Sequence, residues 1–171
     1  MPNVQQLTRE EAETALDQLV QLLQNVVDDG ASIGFIAPLS DDEARAYWRK
    51  VIASVAGGNL LLFALLEGEQ LLGSAQLALE SRKNGSHRAE VQKVMVHTQA
   101  RGRGFGRALM QAVEVAAHTA HRTLLVLDTR RGDVAEQLYQ KIGYIQAGII
   151  PRYALSSAGI LDDTVIYYRF I

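Results

Sequence analysis

Val94-Met95-Val96-His97-Thr98-Gln99-Ala100-Arg101-Gly102-Arg103-Gly104-Phe105-Gly106-Arg107 decides how the chain is read. A strand ends, three glycines follow at alternate positions, and a helix begins with Phe105, Leu109, Val113 and Ala116 on one face. Glycine lets a backbone approach a ligand without a Cβ in the way, so successive N–H groups and the helix start are free to face a phosphate. Arg101, Arg103 and Arg107 add positive charge to that loop. A Walker A loop is excluded, because the spacing from Gly102 puts Arg107-Ala108 where Gly-Lys must precede Ser/Thr. A Rossmann fingerprint is excluded too, since its third glycine falls on Arg107 and its strand would have to open the fold.

On the N-terminal side, Thr8-Arg9-Glu10-Glu11 and Ser40-Asp41-Asp42-Glu43 both fit the capping box of a helix start. One helix is expected through Ala12, Leu16, Leu19, Leu23 and Val26 to Gly30, and another through Ala46, Tyr47 and Val51 to Gly57-Gly58. Leu60–Leu66 and Leu71–Leu79 flank Glu67-Gly68-Glu69-Gln70 as a hairpin. A polar stretch with an Asn84-Gly85 turn leads to a third strand, Glu90–Val96. On that strand Glu90 and Gln92 share one face by alternation, and the strand continues through Val94 and Val96.

On the C-terminal side, Thr123–Leu127 reads as a buried strand ending at Asp128, Asp133–Ile142 as a short helix closed by Gly143, and Thr164–Phe170 as a last strand. Strand, loop helix and strand make one parallel crossover beside the antiparallel meander. The expectation is one α/β domain over residues 1–171, a single-layer mixed, mostly antiparallel sheet flanked by helices.

Composition narrows the chemistry. The 171 residues include no cysteine, so disulfides, thiolate metal sites and a nucleophilic thiol are excluded. The longest apolar run is Leu60–Leu66, far short of the ~20 residues a membrane helix needs. No signal-peptide pattern opens the chain, and a cytoplasmic protein is expected. Between Arg82 and Arg107 stand seven Lys/Arg and one acid, Glu90, against 17 basic and 19 acidic residues in the whole chain, so this window carries +6 and the remainder −8. The acidic remainder argues against a nucleic-acid surface. His118 and His121 have no acid at ligand spacing, and no metal site is expected; His87 and His97 read as loop residues.

Arg101-x-x-Gly104-x-Gly106 resembles the pyrophosphate loop of the GNAT (Gcn5-related) N-acetyltransferases, which bind acetyl-coenzyme A. Ala135, Leu138, Tyr139, Gly143 and Tyr144 resemble that family's second signature, a helix carrying a tyrosine and closing on Gly-aromatic. Within the family the chain looks closest to the tabtoxin resistance protein group, through Gly30–Phe35, Ser74–Leu77, Asn84-Gly85, Arg88–Lys93 and Leu127–Thr129. Two positions depart from the pattern: Thr98 stands where many relatives have proline, and Gly132 where the family usually has an asparagine that touches coenzyme A.

The resemblance implies acetyl transfer to a primary amine of a small molecule, an amino-acid-like compound or antimetabolite in the closer group. A lysine-like amine is only roughly 1 part in 2,500 neutral at pH 7, so a base is needed. Glu90 and Asp128, at adjacent strand ends, are the candidates, acting directly or through water. The resemblance further assigns Tyr139 as the acid for the leaving thiolate. It assigns the backbone near Met95 and Val96 to the pantetheine arm and the oxyanion. The loop residues Arg101, Gly102, Arg103, Gly104, Phe105, Gly106 and Arg107 are the expected cofactor contacts. Phe35, Asn84, Arg88 and Gln92 are the expected acceptor contacts, with the segments 31–35, 84–88 and 152–163 rimming the acceptor pocket. Without cysteine there is no acetyl-thiol enzyme intermediate, so direct attack in a ternary complex is expected. The family's habit of pairing subunits implies a homodimer. A coenzyme A-binding sensor or interaction module without efficient catalysis is the alternative.

Overall fold

The computed structural model describes residues 3–171; the first two residues of the expected 1–171 domain lie outside them. Strand β1 (Asn3–Leu7) precedes α1 (Arg9–Thr14), which opens on a complete capping box. The Thr8 hydroxyl accepts from the Glu11 N–H, and the Thr8 N–H donates to the Glu11 carboxylate at 2.7 Å. The single helix expected here is two, because α1 stops and α2 (Leu16–Asp28) begins around Ala15. The Thr14 hydroxyl donates back to the Glu10 carbonyl, a local bond that bends helices. Helix α3 (Asp41–Ala56) starts on Ser40, whose hydroxyl accepts from the Glu43 N–H.

Strands β2 (Leu60–Glu67), β3 (Gln70–Leu79) and β4 (Arg88–Val96) form the meander. Helix α4 (Phe105–Thr119) crosses over to β5 (Leu124–Arg130), and α5 (Val134–Lys141) comes next. Strands β6 (Ile145–Leu155) and β7 (Leu161–Phe170) close the chain as a hairpin. The seven-stranded sheet runs β1-β2-β3-β4-β5-β7-β6, antiparallel except for the β4–β5 pair. The expected mixed, mostly antiparallel sheet flanked by helices is what the chain forms.

Neither outermost strand is announced by the sequence pattern. β1 is a polar five-residue strand with β2 as its one partner, and β6 carries Gly148 and Pro151, residues that interior strands avoid but edges tolerate. Residues 152–155 and 161–163, expected as rim, therefore lie in strands.

The sheet divides two cores. On one face Leu77, Ala89, Val91 and Leu125 pack with Phe105, Leu109, Met110 and Val113 of α4 and with Tyr139 of α5. On the other, Leu62, Ala64 and Met95 pack with Leu19, Leu23, Val27 and Trp48 from α2 and α3.

The pairing of β3 with β4 is irregular. Ser74 faces Met95 and Gln76 faces Gln92, so Ala75 stands opposite two residues, Lys93 and Val94. This is a β-bulge, with Lys93 at φ +50°. It inverts the alternation. Val94 and Val96 pack on the α4 side with Ala89 and Val91, whereas Met95 joins the α2–α3 core. Val94 and Val96 thus leave the face of Glu90 and Gln92, against the simple alternation expected from the sequence.

Candidate active site

β4 and β5 pair at Arg88–Leu124, Ala89–Leu125 and Glu90–Val126, and then run on unpaired to Val96 and Arg130. The sheet forks at Glu90. Backbone N–H and C=O groups on the facing edges are left for a ligand to pair with. Asp128 lies two residues past Val126 on the same face of β5, roughly 7 Å further along the strand. Glu90 and Asp128 share a pocket of about 180 Å³, walled by Val126, Ile166, Thr164 and Tyr153. Both carboxylates are exposed. The buried Thr164 hydroxyl lies 2.9 Å from Asp128 Oδ2 and 3.0 Å from the Thr129 carbonyl, sharing its one proton between them, and Asp128 Oδ1 has no side-chain partner among the described residues.

From the sequence Lys93, like Arg88, is only an alternative ion-pair partner for either acid and is given no place in the site. The bulge turns its side chain into the half-buried space facing both acids. Its Nζ lies 3.8 Å from where a Cβ on Gly34 would stand. Burial holds the Lys93 ammonium below its ordinary pKa, while Asp128 and Glu90 pull it back up. Only a bulge sends Lys93 there, and no periodicity in the sequence announces one. Beside it the buried Gln76, in register with Gln92, is hydrogen-bonded to Tyr47 at 2.9 Å, and Phe35 meets the Tyr47 ring edge-on at 5.1 Å. Burial pushes the Tyr47 phenol up to about 12, so it stays a neutral donor. Phe35 and Gln92 are thus brought beside Tyr47 and Gln76, and neither lines the carboxylate pocket. Arg88 and Asn84 are not brought to the carboxylate pocket. Arg88 pairs with Glu80 at 2.7 Å across Gly85, and Asn84 is exposed in a short 3-10 turn.

Tyr139, on α5, is 5% exposed and packs against Tyr144 with ring centroids 5.9 Å apart. Burial, with Asp128 and Asp133 adding to it, raises its phenol well above the ordinary value, so the proton is held throughout the neutral range.

The glycine loop resolves into two kinds of glycine. Gly102 (φ +76°) and Gly104 (φ +80°) have left-handed backbones with nothing within 4 Å of a Cβ position. Gly104 is the N-cap of α4 and offers no side chain to its first N–H groups, which stay free for an anion. Gly106 differs: a Cβ there would lie 2.9 Å from Leu138 Cδ2, so it is a packing glycine against α5. The Phe105 side chain is buried in the α4 core, leaving its backbone as the part able to meet a cofactor. Met95 is buried in the α2–α3 core and Val96 is partly buried on the α4 side; both pair with β3, and the Val96 carbonyl accepts from Arg101 Nε at 3.4 Å, while the β5-facing edge of this stretch has no strand partner.

The +6 window is smaller in space than in sequence. Arg101 pairs with Asp29, Arg103 with Glu67, and both Arg82 and Arg88 with Glu80. Arg107 forms no ion pair among the described residues. The loop pairs are half-exposed and therefore weak, so a phosphate can compete for either guanidinium. No cluster of three or more His, Asp or Glu able to hold a metal exists among the described residues.

The family profile described as an acetyltransferase (GNAT) domain matches residues 58–146, more than half of the chain. The chain belongs to the GNAT acetyltransferases. A member from Azospirillum brasilense, an uncharacterized N-acetyltransferase from the hisH-hisA intergenic region, is 32% identical over 117 residues, 67% of this chain and 68% of that protein. Solved GNAT structures share the fold. The ribosomal-protein-alanine N-acetyltransferase of Brucella melitensis superposes with a TM-score of 0.81 at 18% identity, covering 99% of both chains. The Salmonella typhimurium protein yncA, a putative acetyltransferase solved with its cofactor acetyl-CoA, superposes with a TM-score of 0.80 at 16% identity, covering 99% of this chain and 94% of that one.

The protein is thus an acetyl-CoA-dependent N-acetyltransferase, and its residues suit that cosubstrate. The open left-handed glycines and the uncapped α4 N-terminus form a cradle that a Cβ would fill, and the fork offers unpaired backbone. The profile spans β2 to the start of β6, so α1–α3 and β7 fall outside the match.

Proposed function

We propose that this GNAT domain, one unit over residues 1–171, acetylates the primary amine of a small, amino-acid-like molecule by direct attack within a ternary complex. The observation that carries the reading is the placement of Glu90 and Asp128 in one pocket at the fork. Acetyl-CoA supplies the activated acetyl thioester. Gly102, Gly104 and Arg107, with Arg101 and Arg103 once released from their carboxylates, receive its phosphates, and the Met95–Val96 backbone receives its pantetheine arm. One of the two acids takes the proton of the incoming ammonium, directly or through water. A free N–H at the fork steadies the oxygen as it gains charge. Tyr139, held protonated by its burial, is the proposed donor to the departing sulfur, and the proton the attacking nitrogen gives up as the amide forms passes to the thiolate so that the buried phenol is not left ionised.

Two considerations support the acceptor class. The resemblance read from the sequence to the tabtoxin resistance protein group favours an amino-acid-like acceptor, and the Lys93 ammonium beside the acid pair suits a carboxylate carried near the amine. We also place a second copy of the chain along β6. Nine of its eleven residues are exposed, and Ile145, Ile149, Ile150 and Leu155 leave a long apolar edge.

The test is the double variant Glu90→Gln/Asp128→Asn, assayed by thiol release with an amine panel and by acetyl-CoA titration calorimetry. Turnover is expected to fall about 10²–10⁴-fold, the usual contribution of a positioned base, with acetyl-CoA affinity within about twofold. Unchanged turnover would remove both carboxylates from the mechanism. Wild type that binds acetyl-CoA yet releases no thiol with any amine would make the domain a coenzyme A sensor.

A further inference from the structure

β6 reaches the acid pocket by an irregular route. Ile150 faces Thr164 and Ala154 faces Asp162, so Pro151, Arg152 and Tyr153 stand opposite Asp163 alone. Arg152 adopts φ +55°, and its N–H donates to Asp163 Oδ1 at 3.0 Å, which secures the bulge. Such a bulge re-aims a side chain. The re-aimed residue is Tyr153. β6 is separated from β5 by β7, roughly 10 Å away, so only a long side chain aimed across β7 can share a wall with residues of β5. Tyr153 does so, passing Thr164 and Ile166 to line the pocket of Glu90 and Asp128 while remaining 56% exposed.

We propose that Tyr153 binds the acceptor, its ring forming the outer wall of a cation-receiving pocket whose inner side is the two carboxylates. An aromatic face, two carboxylates and the aliphatic flank of Val126 and Ile166 together suit a primary ammonium on a short, unbranched alkyl arm. A volume of about 180 Å³ admits the ammonium and a few methylenes, leaving any larger group outside beside Tyr153. The inference rests on Glu90 and Asp128 forming the acceptor end of the site.

The experiment measures thiol release with n-butylamine, L-lysine and tyramine for wild type, Tyr153→Ala and Tyr153→Phe. The alanine variant is expected to raise the amine KM about five- to thirtyfold, the range of a partly desolvated cation–π contact. Its kcat and acetyl-CoA KM stay within about twofold, and the phenylalanine variant, which keeps the ring, recovers most of the loss. An amine KM within twofold of wild type in Tyr153→Ala overturns the proposal, as does a rise confined to acetyl-CoA. If none of the three amines is turned over, their binding to the coenzyme A-saturated protein is measured by calorimetry, and wild type that binds none of them overturns it equally. The base assignment fails separately: Glu90→Gln/Asp128→Asn would then keep its turnover while Tyr153→Ala still raised the amine KM.

Discussion

Gly73 is where the bulged part of β4 leans on its neighbour, and Gly73→Ala measures how tightly. Gly73 pairs with Leu65 on one side and Val96 on the other. A Cβ there would lie 2.9 Å from the Met95 carbonyl oxygen, 3.1 Å from Leu109 Cδ1 and 3.5 Å from Leu65 Cβ. Leu109 can swing its methyl aside, but Met95 O belongs to the backbone. Reaching an ordinary contact requires β4 to move by about half an ångström, just beyond the bulge. Overpacking of this kind costs about 1–3 kcal/mol. Alanine returns about 0.5–1 kcal/mol through the unfolded chain, because the strand here has an ordinary φ. The net expectation is a loss of about 1–2 kcal/mol in urea unfolding, equivalent to about 2–8 °C in Tm for a chain of this length.

The same movement displaces the Met95–Val96 stretch, whose β5-facing side has no strand partner, so the acetyl-CoA KM should rise while the amine KM changes little. Gly148→Ala supplies the control, since a Cβ there meets nothing within 4 Å and its φ is ordinary. That variant should unfold within about 0.5 kcal/mol of wild type. Gly73→Ala with wild-type stability and wild-type acetyl-CoA KM would refute the reasoning, because it would show β4 free to shift without consequence at the fork.

Gly104→Ala should cost about 1–2 kcal/mol in left-handed strain and raise the acetyl-CoA KM, whereas Gly106→Ala need displace only the flexible end of Leu138. Equal effects of the two variants on acetyl-CoA KM would contradict the division between cradle and packing glycines. Glu80 is held at about 2 by the Arg82 N–H and by the side chains of Arg82 and Arg88. Its folded pKa is depressed, so its charged form stabilises the fold fully above the ordinary value of 4.5, and that stability is lost as pH falls toward about 2. Urea unfolding of wild type should therefore weaken more steeply than that of Glu80→Gln across this window, and parallel curves would disprove it. Sedimentation should report a dimer for wild type and a monomer for Ile149→Lys/Leu155→Glu; a monomeric wild type excludes pairing through β6.

The elements legible in the sequence rest on local rules. The Thr8 capping box, the Glu67–Gln70 hairpin, the glycine loop before α4 and the crossover to β5 depend on residues a few positions apart, and each is found where the pattern puts it. Glu90 and Asp128 are readable for a related reason. Each lies on a strand whose regular stretch ends close by, so alternation up to that point holds and both fall on one face. The charge window misleads because pairing is spatial: Asp29, Glu67 and Glu80 lie outside Arg82–Arg107 in the chain yet meet its arginines in the fold.

The side chains whose direction escapes a reading of the pattern share one cause. Lys93 and Tyr153 both sit in bulges, where an inserted residue changes which face every later side chain occupies. Period-two reading assumes an unbroken pleat, so it fails at the insertion, and it fails most where strands must bend away from one another. A forked sheet needs such insertions in order to open. Thus the departure that puts Lys93 beside the acids also carries Met95 and Val96 onto opposite cores with their backbone at the fork. The positions hardest to read from the pattern are therefore the ones on which a site of this geometry depends, and a left-handed φ at a non-glycine residue inside a strand, as at Lys93 and Arg152 but not at His121 in the turn after α4, is the structural mark that accompanies them.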